Sequence, residues 1–328
     1  MFHSKKILAE LAKCRERNRK WTLFSSWNIS RGVIHVIGYG SKRWLSDVTR
    51  WLNKEHFRNI EASNRIWRST SNACTVCGDM TDPWLSPISI EKGAAKPMEN
   101  CLPLLYHNYW HSEGFALLLN NGKTVEIRMK RRRYQPVLCG GPLPEPYRLD
   151  QLHFHWGPSN HQGSEHLVNG KRYAMEVQLI HCAEKYKSLD KACDYRKGIA
   201  VVAILLQASA DVPLFEFEHV VSKLPLIKSP YMTASLNAEK AISWLRCRAL
   251  NSGYYTYGGT LTYPLGGRDV IWIVYPDPIP VTPSQVAAFR NVLSPERTPI
   301  TDNCMKLRNG KVEVKFCLPR GNVSTLPR

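Results

Sequence analysis

From about residue 82 onward, apolar and polar residues alternate in short runs that are separated by turns rich in Gly, Pro and Asn. Such alternation places apolar side chains on one face of a strand, and it predicts an extended antiparallel or mixed sheet. Residues 199–206 are apolar on both faces, which predicts a central strand buried on both sides. The predicted strands are 115–119, 123–129, 147–156, 174–182, 199–207, 254–261 and 270–274.

Helical patterns are fewer. Within the sheet region they predict helices at 215–223 and 284–292, the second starting after a Thr-Pro-Ser signal at Thr282. Earlier in the chain they predict short helices at 5–17 and 41–57 and a strand at 33–37. No boundary signal interrupts residues 82–316. We therefore expect a basic N-terminal extension at 1–80 that is a candidate for disorder, one domain at 81–319 and a C-terminal tail at 320–328.

Charge is distributed unevenly along the chain. The formal net charge is +18, and residues 1–80 hold 15 Lys and Arg against 6 Asp and Glu. We interpret this excess as a solvated extension. Attraction to nucleic acid or an anionic membrane surface is the alternative on electrostatic grounds, but no nucleic-acid motif accompanies it, so no nucleic-acid partner is expected. No apolar run approaches the roughly 18 residues of a transmembrane helix, so no membrane span is expected either.

The hydrophobic fraction of 43%, with ten Trp and fourteen Tyr, is enough for a packed core. The first twenty residues are too polar for a secretory signal, which favours a cytoplasmic location while leaving the compartment open. Cys74 and Cys77 have the spacing of a metal or redox pair, but no second pair follows at a suitable distance. We interpret them as structural or incidental thiols.

Two histidines two residues apart carry the candidate chemistry. His153 and His155 lie in a predicted strand, so both imidazoles leave the same face. Such a pair is more often ordinary than functional, but it can supply two of the ligands of a tetrahedral metal site. On the neighbouring predicted strand, the residue at the matching position is Gln178. His181 does not replace it, because residues three apart on a strand face opposite sides and a register slip would turn the apolar set outward.

The residues around these histidines form a composite motif. Gly140-Gly-Pro-Leu-Pro144 precedes the pair and Gly163-Ser-Glu-His166 follows it, and residues 257–262 read Tyr-Gly-Gly-Thr-Leu-Thr. Together with Asn120-Asn-Gly122 and residues 85–90, these segments resemble the α-carbonic anhydrase family in order and spacing, from about residue 82 to 316. The resemblance implies a mainly β (α+β) fold, with a large twisted, mostly antiparallel central sheet and short peripheral helices. It also implies zinc-dependent hydration of CO2 to bicarbonate.

The resemblance assigns roles to the metal site. It implies that His153 and His155 are zinc ligands and that Gln178 occupies the position of the third histidine. Gln151 and Glu176 match residues that hold the ligand imidazoles, and losing such a residue costs about 10–100-fold in affinity or activity. Glu176 could accept a hydrogen bond from the Gln178 amide and turn the amide oxygen toward the metal. That oxygen would be a weaker zinc ligand than imidazole.

The resemblance also assigns the reaction residues. Thr262 and Glu165 match the pair that orients zinc-bound hydroxide, whereas His166 is interpreted as a buried structural histidine. Lys123 occupies the position of the proton-shuttle histidine, and a lysine, with a reference pKa of about 10.4, exchanges protons poorly near neutral pH. Tyr263 stands where the family has a small residue, and it would narrow the substrate pocket. The other implied pocket residues, which would serve equally well in a core, are Ile180, Ile199, Val201, Leu261 and Trp272.

Two functional hypotheses follow, and Gln178 separates them. In the first, the chain is a carbonic-anhydrase-related protein with weakened zinc affinity and weak or lost CO2 hydration, and it acts by binding an unidentified protein partner. In the second, it is an impaired but functional zinc lyase that acts on CO2 and bicarbonate. Whether the chain is an enzyme therefore depends on whether a site of two histidines and one glutamine holds zinc.

Overall fold

The structure is a computed structural model that describes residues 85–130, 133–246, 250, 253–262, 269–308 and 312–318. All of these residues belong to one unit of the chain, Asn64–Arg328. The predictions for residues 1–80, Cys74, Cys77, Tyr263 and the tail at 320–328 lie outside the described residues. None of the helices in the described ranges is long and apolar enough to cross a membrane.

A large mixed sheet dominates the described part of the chain. Its twelve strands run in the order β11-β4-β5-β7-β9-β10-β13-β12-β14-β2, with β6 paired to β7 and β3 paired to β6. Two of these pairings, β10 with β13 and β14 with β2, are parallel, and the others are antiparallel. Strands β1 and β8 form a separate parallel pair. The strands are β1 Ser89–Ile90, β2 Lys96–Pro97, β3 Leu104–His107, β4 Phe115–Asn120, β5 Val125–Met129, β6 Val137–Gly140, β7 Tyr147–Trp156, β8 Leu167–Val168, β9 Met175–Ala183, β10 Ile199–Ala208, β11 Thr233–Asn237, β12 Tyr254–Gly259, β13 Val270–Val281 and β14 Lys315–Cys317.

The helices of the described part are short. The α-helices are α1 Leu189–Cys193, α2 Phe215–Val221, α3 Ala238–Ile242 and α4 Pro283–Phe289, and the 3-10 helices are Lys92–Ala94, Glu184–Tyr186, Leu224–Ile227 and Ser243–Leu245. The predicted fold class, mainly β with a mostly antiparallel sheet and short helices, is confirmed. Both predicted helices are present and end two or three residues early. The seven predicted strands are present, with β13 longer than predicted.

The central strand β10 separates two hydrophobic clusters. Ala200, Val202, Ile204 and Leu206 pack into the larger cluster, which the helices α2 and α4 help to cover. The alternate residues, from Ile199 to Leu205, pack into the smaller cluster with Trp272. The prediction of a central strand buried on both faces is therefore confirmed. Strands β7 and β9 bury Leu152, Phe154, Val177 and Leu179 in the larger cluster, so the polar residues between them face the other side.

Candidate metal and catalytic site

Strands β7 and β9 present the candidate ligands on one shared face. His153 lies directly opposite Gln178, and His155 lies opposite Glu176, in the same antiparallel ladder. Directly opposed residues point to the same side of a sheet, so these four side chains lie together. All four are buried. The structure thus brings the two candidate histidines and the substituted position into one cluster.

The Gln178 side chain is engaged at both ends of its amide. The nitrogen donates to Glu165 Oε2 at 2.7 Å and to Glu176 Oε1 at 3.0 Å. The oxygen accepts from Thr262 Oγ1 at 3.1 Å. The hydrogen bond expected between Gln178 and Glu176 is therefore present. Because an amide NH2 has only two hydrogens, both of its donors are in use.

Glu165 is a fully buried carboxylate that is held by donors from three other segments. Besides Gln178, the backbone N–H of Met305 donates to Glu165 Oε1 at 2.9 Å, and His155 Nδ1 lies 3.1 Å from the same oxygen. Burial alone would raise the pKa of Glu165, but the charge and hydrogen bond of His155, followed by those from Met305 and Thr262, hold it well below its usual value. For His155, burial opposes the charged form, yet the Glu165 carboxylate raises the imidazole pKa above its ordinary value.

Glu176 is the second buried carboxylate, and it is tied to His166. Its Oε2 accepts from the backbone N–H of His166 at 2.8 Å, and its Oε1 lies 2.8 Å from His166 Nδ1. The other ring nitrogen of His166 lies 2.7 Å from the Tyr257 hydroxyl, which donates to Ser86 at 3.0 Å. Burial would raise the pKa of Glu176, but His166 lowers it. These contacts agree with the interpretation of His166 as a structural residue.

His153 has a different environment from His155. Its Nε2 lies 3.0 Å from the Gln151 amide nitrogen, which can only donate, so this ring nitrogen is the acceptor. Glu126 lies opposite His153 on β5, with its Oε2 3.7 Å from His153 Nε2, and it is held by Arg128 and by Asn121. Burial lowers the pKa of His153 to about 4, so the ring is neutral at pH 7.

The donor atoms in this arrangement do not fit a three-ligand zinc site. A catalytic zinc ion needs three protein ligands with available lone pairs. His155 Nε2 meets this requirement, since it is buried and has no hydrogen-bond partner among the described residues. The His153 Nε2 lone pair, however, accepts from Gln151, and the Gln178 oxygen accepts from Thr262. Within the described ranges, no group of three or more His, Cys, Asp or Glu side chains is arranged to hold a metal ion.

His181 lies on the face away from this cluster, as expected from its spacing. It contacts the Tyr109 hydroxyl through Nε2, and its Nδ1 lies 3.3 Å from the carbonyl oxygen of Ala200. Tyr109 belongs to the larger hydrophobic cluster, on the opposite side of the sheet from Gln178. Burial lowers the pKa of His181 to about 4, so it is a neutral core histidine rather than a replacement ligand.

A cavity of about 540 Å³ reaches the site from the surface. Four of the candidate residues line it, namely Lys123, His155, Glu165 and Thr262. Lys123 is exposed at the turn that precedes β5. The rest of the wall is mostly polar and comes from residues 122–124 and from the segment 294–305, including Thr298, Thr301, Asp302 and Asn303. Small polar molecules can therefore approach His155 and Thr262.

The candidate apolar pocket residues lie together in the smaller hydrophobic cluster. Ile180, Ile199, Val201, Leu261 and Trp272 are all buried there, and none of them lines the cavity. Ile180 lies opposite Val201, and Val201 lies beside Trp272 across the three central strands. In this arrangement the five side chains act as core residues next to the polar cluster.

Several residues of the cluster did not emerge from the sequence. The Asn303 carbonyl lies 3.5 Å from His155 Nδ1, and the N–H of Met305 donates to Glu165, although the partners are 148 and 140 residues apart in the chain. No local pattern indicates such contacts. Glu126 could have been found, because the alternation of Val125-Glu-Ile-Arg128 on a predicted strand places its carboxylate on the polar face.

Comparison with known proteins agrees with this fold. The family model of the eukaryotic-type carbonic anhydrases matches residues 63–313. Carbonic anhydrase 15 of Mus musculus is 34% identical over 231 residues, which cover 69% of this chain and 69% of the relative. Carbonic anhydrase 3 of Homo sapiens is 36% identical over 178 residues, covering 54% of this chain and 66% of the relative. The chain therefore belongs to the eukaryotic-type carbonic anhydrase family.

These alignments span about two thirds of the length of each of the two relatives. Zinc is the metal that carbonic anhydrases typically use, and CO2 and bicarbonate are the family's substrates. In this chain the position expected to provide the third ligand carries an amide that is already engaged on both sides.

Proposed function

We propose that this chain is a ligand-deficient member of the family, with weakened zinc affinity and weak or lost CO2 hydration. Gln178 is the observation that carries the proposal. A side-chain amide has no nitrogen lone pair comparable to that of imidazole, and its neutral oxygen is a poorer ligand for zinc. Here that oxygen accepts from Thr262 while the nitrogen is shared by Glu165 and Glu176.

The engagement of Thr262 has a second consequence. In the role implied by the family, its hydroxyl donates to Glu165 and accepts from the attacking oxygen. In this chain the hydroxyl donates to Gln178, which in turn donates to Glu165. Because a hydroxyl has a single hydrogen, Gln178 competes with Glu165 for the hydrogen bond that Thr262 donates. If turnover is lost, the proposed role of the chain is to bind a protein partner.

The test compares wild-type protein with Gln178→His. Each protein is dialysed against zinc and then against buffer, its zinc content is measured by mass spectrometry, and CO2 hydration is followed by stopped flow. We expect wild type to retain little zinc and to show little turnover. The histidine variant should bind zinc at least about 100-fold more tightly, because loss of a ligand exceeds the 10–100-fold cost of losing a residue that only holds one.

Gln162→His is the matched control, since it adds a histidine at an exposed position. It should leave both zinc content and turnover unchanged. If wild type retains one zinc per chain and hydrates CO2 as fast as Gln178→His, the proposal is wrong and the chain is a functional zinc lyase.

A further inference from the structure

The hydrogen bonds of Gln178 reach Glu176 two residues away on the same strand, Glu165 thirteen residues away and Thr262 eighty-four residues away. Glu165 lies in the segment that leads into β8, Glu176 lies on β9, and Thr262 follows β12. The network continues from Glu176 through His166 and Tyr257 to Ser86. The Gln178 amide therefore joins strand β9 to the segment that contains Glu165 and to the segment that follows β12.

The Gln178 amide matters because it donates to two buried carboxylates. Glu165 and Glu176 are both 0% exposed, so each depends on donors from the protein. Glutamine supplies two N–H groups, one to each carboxylate. A neutral imidazole has a single N–H and leucine has none. Leucine at this position would therefore remove the N–H that reaches Glu165 Oε2 and one of the two donors that reach Glu176 Oε1, where His166 remains.

We propose that Gln178 is a structural residue that holds Thr262 and the buried carboxylates of Glu165 and Glu176 together, so that the domain is stable without metal. The inference rests on the proposed function in that it takes zinc to be weakly held. It goes beyond the proposed function because it gives Gln178 a stabilising role in the fold. The substitution both removes a ligand and stabilises the metal-free site that results.

The experiment measures thermal unfolding of the full chain in chelator and in excess zinc. Wild type should have the same midpoint in both. Gln178→Leu should unfold at least about 5 °C lower in chelator and in zinc alike. Unpaired buried polar groups lower the free energy of unfolding, and the midpoint of a domain of this size falls by a few degrees for each kcal/mol lost. Gln178→His should be less stable than wild type in chelator, and zinc should recover it through binding to the folded state.

Gln162→Leu is the control, because it removes an amide at an exposed position and should leave the midpoint unchanged. If Gln178→Leu does not fold while Gln162→Leu does, the inference is supported, and the chelator dependence of Gln178→His remains as an independent measurement. Two results would overturn it: a wild-type midpoint that falls in chelator, or a Gln178→Leu midpoint equal to that of wild type. Neither readout uses activity. Low CO2 hydration together with an unaltered Gln178→Leu midpoint would refute this inference alone.

Discussion

Lys123 lies exposed at the wall of the cavity that reaches Thr262 and His155. If the third ligand is restored by Gln178→His, proton transfer out of the site becomes the next limitation, because a lysine ammonium is a poor acceptor near neutral pH. Adding Lys123→His should then raise CO2 hydration by at least about tenfold in dilute buffer, as expected for a positioned general base.

Concentrated imidazole buffer provides the check on this prediction. It should give most of the same gain to Gln178→His alone, because it supplies the acceptor from solution. In a wild-type background Lys123→His should change nothing measurable. An equal rate for the single and double variants in dilute buffer would show that proton transfer is not the limiting step.

His181 predicts a pH dependence of stability. Its pKa is lowered to about 4 by burial, whereas an unfolded histidine has a pKa of about 6.5. Between these values the unfolded chain binds a proton that the native chain does not, so this contribution to stability is complete above pH 6.5 and is lost as the pH falls toward 4. The total loss is about 3 kcal/mol at one pKa unit per 1.4 kcal/mol.

His181→Gln removes the titrating group while keeping a partner for the Tyr109 hydroxyl. Its free energy of unfolding, measured by denaturant titration at several pH values, should fall less steeply than that of wild type between pH 6.5 and 4. If the free energy of unfolding has the same pH dependence in both proteins, the pH effect does not come from the lowered pKa of His181. His153, which also has a lowered pKa, and the carboxyls of Glu165 and Glu176, whose pKa values are lowered too, contribute to the slope that remains.

At the residue scale, the sequence predicted which side chains share a face but not what they contact. The period of two is enough to place His153 and His155 together and His181 on the opposite side. The sequence could not predict that Thr262 would donate to Gln178, because that depends on the path of the chain after β12. It also left Asn303 and Met305 unidentified, since their backbone groups act whatever side chain they carry.

At the element scale, the strands with clear alternation were predicted within two residues at each end, except that β13 continues to Val281 instead of ending at 274. Of the strands that were not predicted, β3, β6 and β11 are the longest. They are four or five residues long, and β3 pairs with β6 on a side branch of the sheet. Such short strands are formed by pairing with a partner distant in sequence, so the local pattern carries little information about them.

Helix α4 offers a prediction at this scale. Its N-terminus is a capping box in which Thr282 Oγ1 accepts from Gln285 N and Gln285 Oε1 accepts from Thr282 N, both at 3.2 Å. The Gln285 amide also donates to Glu218 of α2 at 2.7 Å, so the cap positions a residue that joins the two helices. Thr282→Ala should lower the free energy of unfolding by about 1 kcal/mol.

Thr282→Ser serves as the control for that measurement, because serine retains the accepting oxygen and should behave almost like wild type. Chemical denaturation of the three proteins decides the question. Equal stability for the alanine and serine variants would mean that the cap contributes nothing beyond the packing of Val286 and Phe289, which are both buried.

At the scale of the whole molecule, the fold class followed from the alternation, but the order of the strands did not. Strands β10 and β13 lie side by side and parallel, although more than sixty residues separate their starts. Periodicity gives no information on which strands become neighbours. The composite family motif, by contrast, spans the segments from about residue 82 to 316 and so indicates the order that the local pattern lacks.

The last feature at this scale is a disulfide that the sequence did not predict. Cys101, between β2 and β3, is bonded to Cys317 at the end of β14, across 216 residues of chain. The two strands that it secures have only two and three residues, so few ladder hydrogen bonds hold this edge of the sheet. Closing so long a loop restricts the unfolded chain strongly, and native disulfides typically contribute about 2–4 kcal/mol.

We therefore expect the double variant Cys101→Ser/Cys317→Ser to lose stability of about that size, measured by denaturant unfolding. Reductant should lower the stability of wild type to the same level and should leave the double variant unchanged. Cys193→Ser, which removes a free thiol, is the control and should keep the response of wild type to reductant. Alkylation under denaturing, non-reducing conditions followed by peptide mapping reports the bond directly. Since reducing compartments keep thiols open, the bond should form fully only when the protein matures under oxidising conditions. If Cys101 and Cys317 are alkylated without reductant in protein made under such conditions, the edge of the sheet is held by packing alone and the stability difference should disappear.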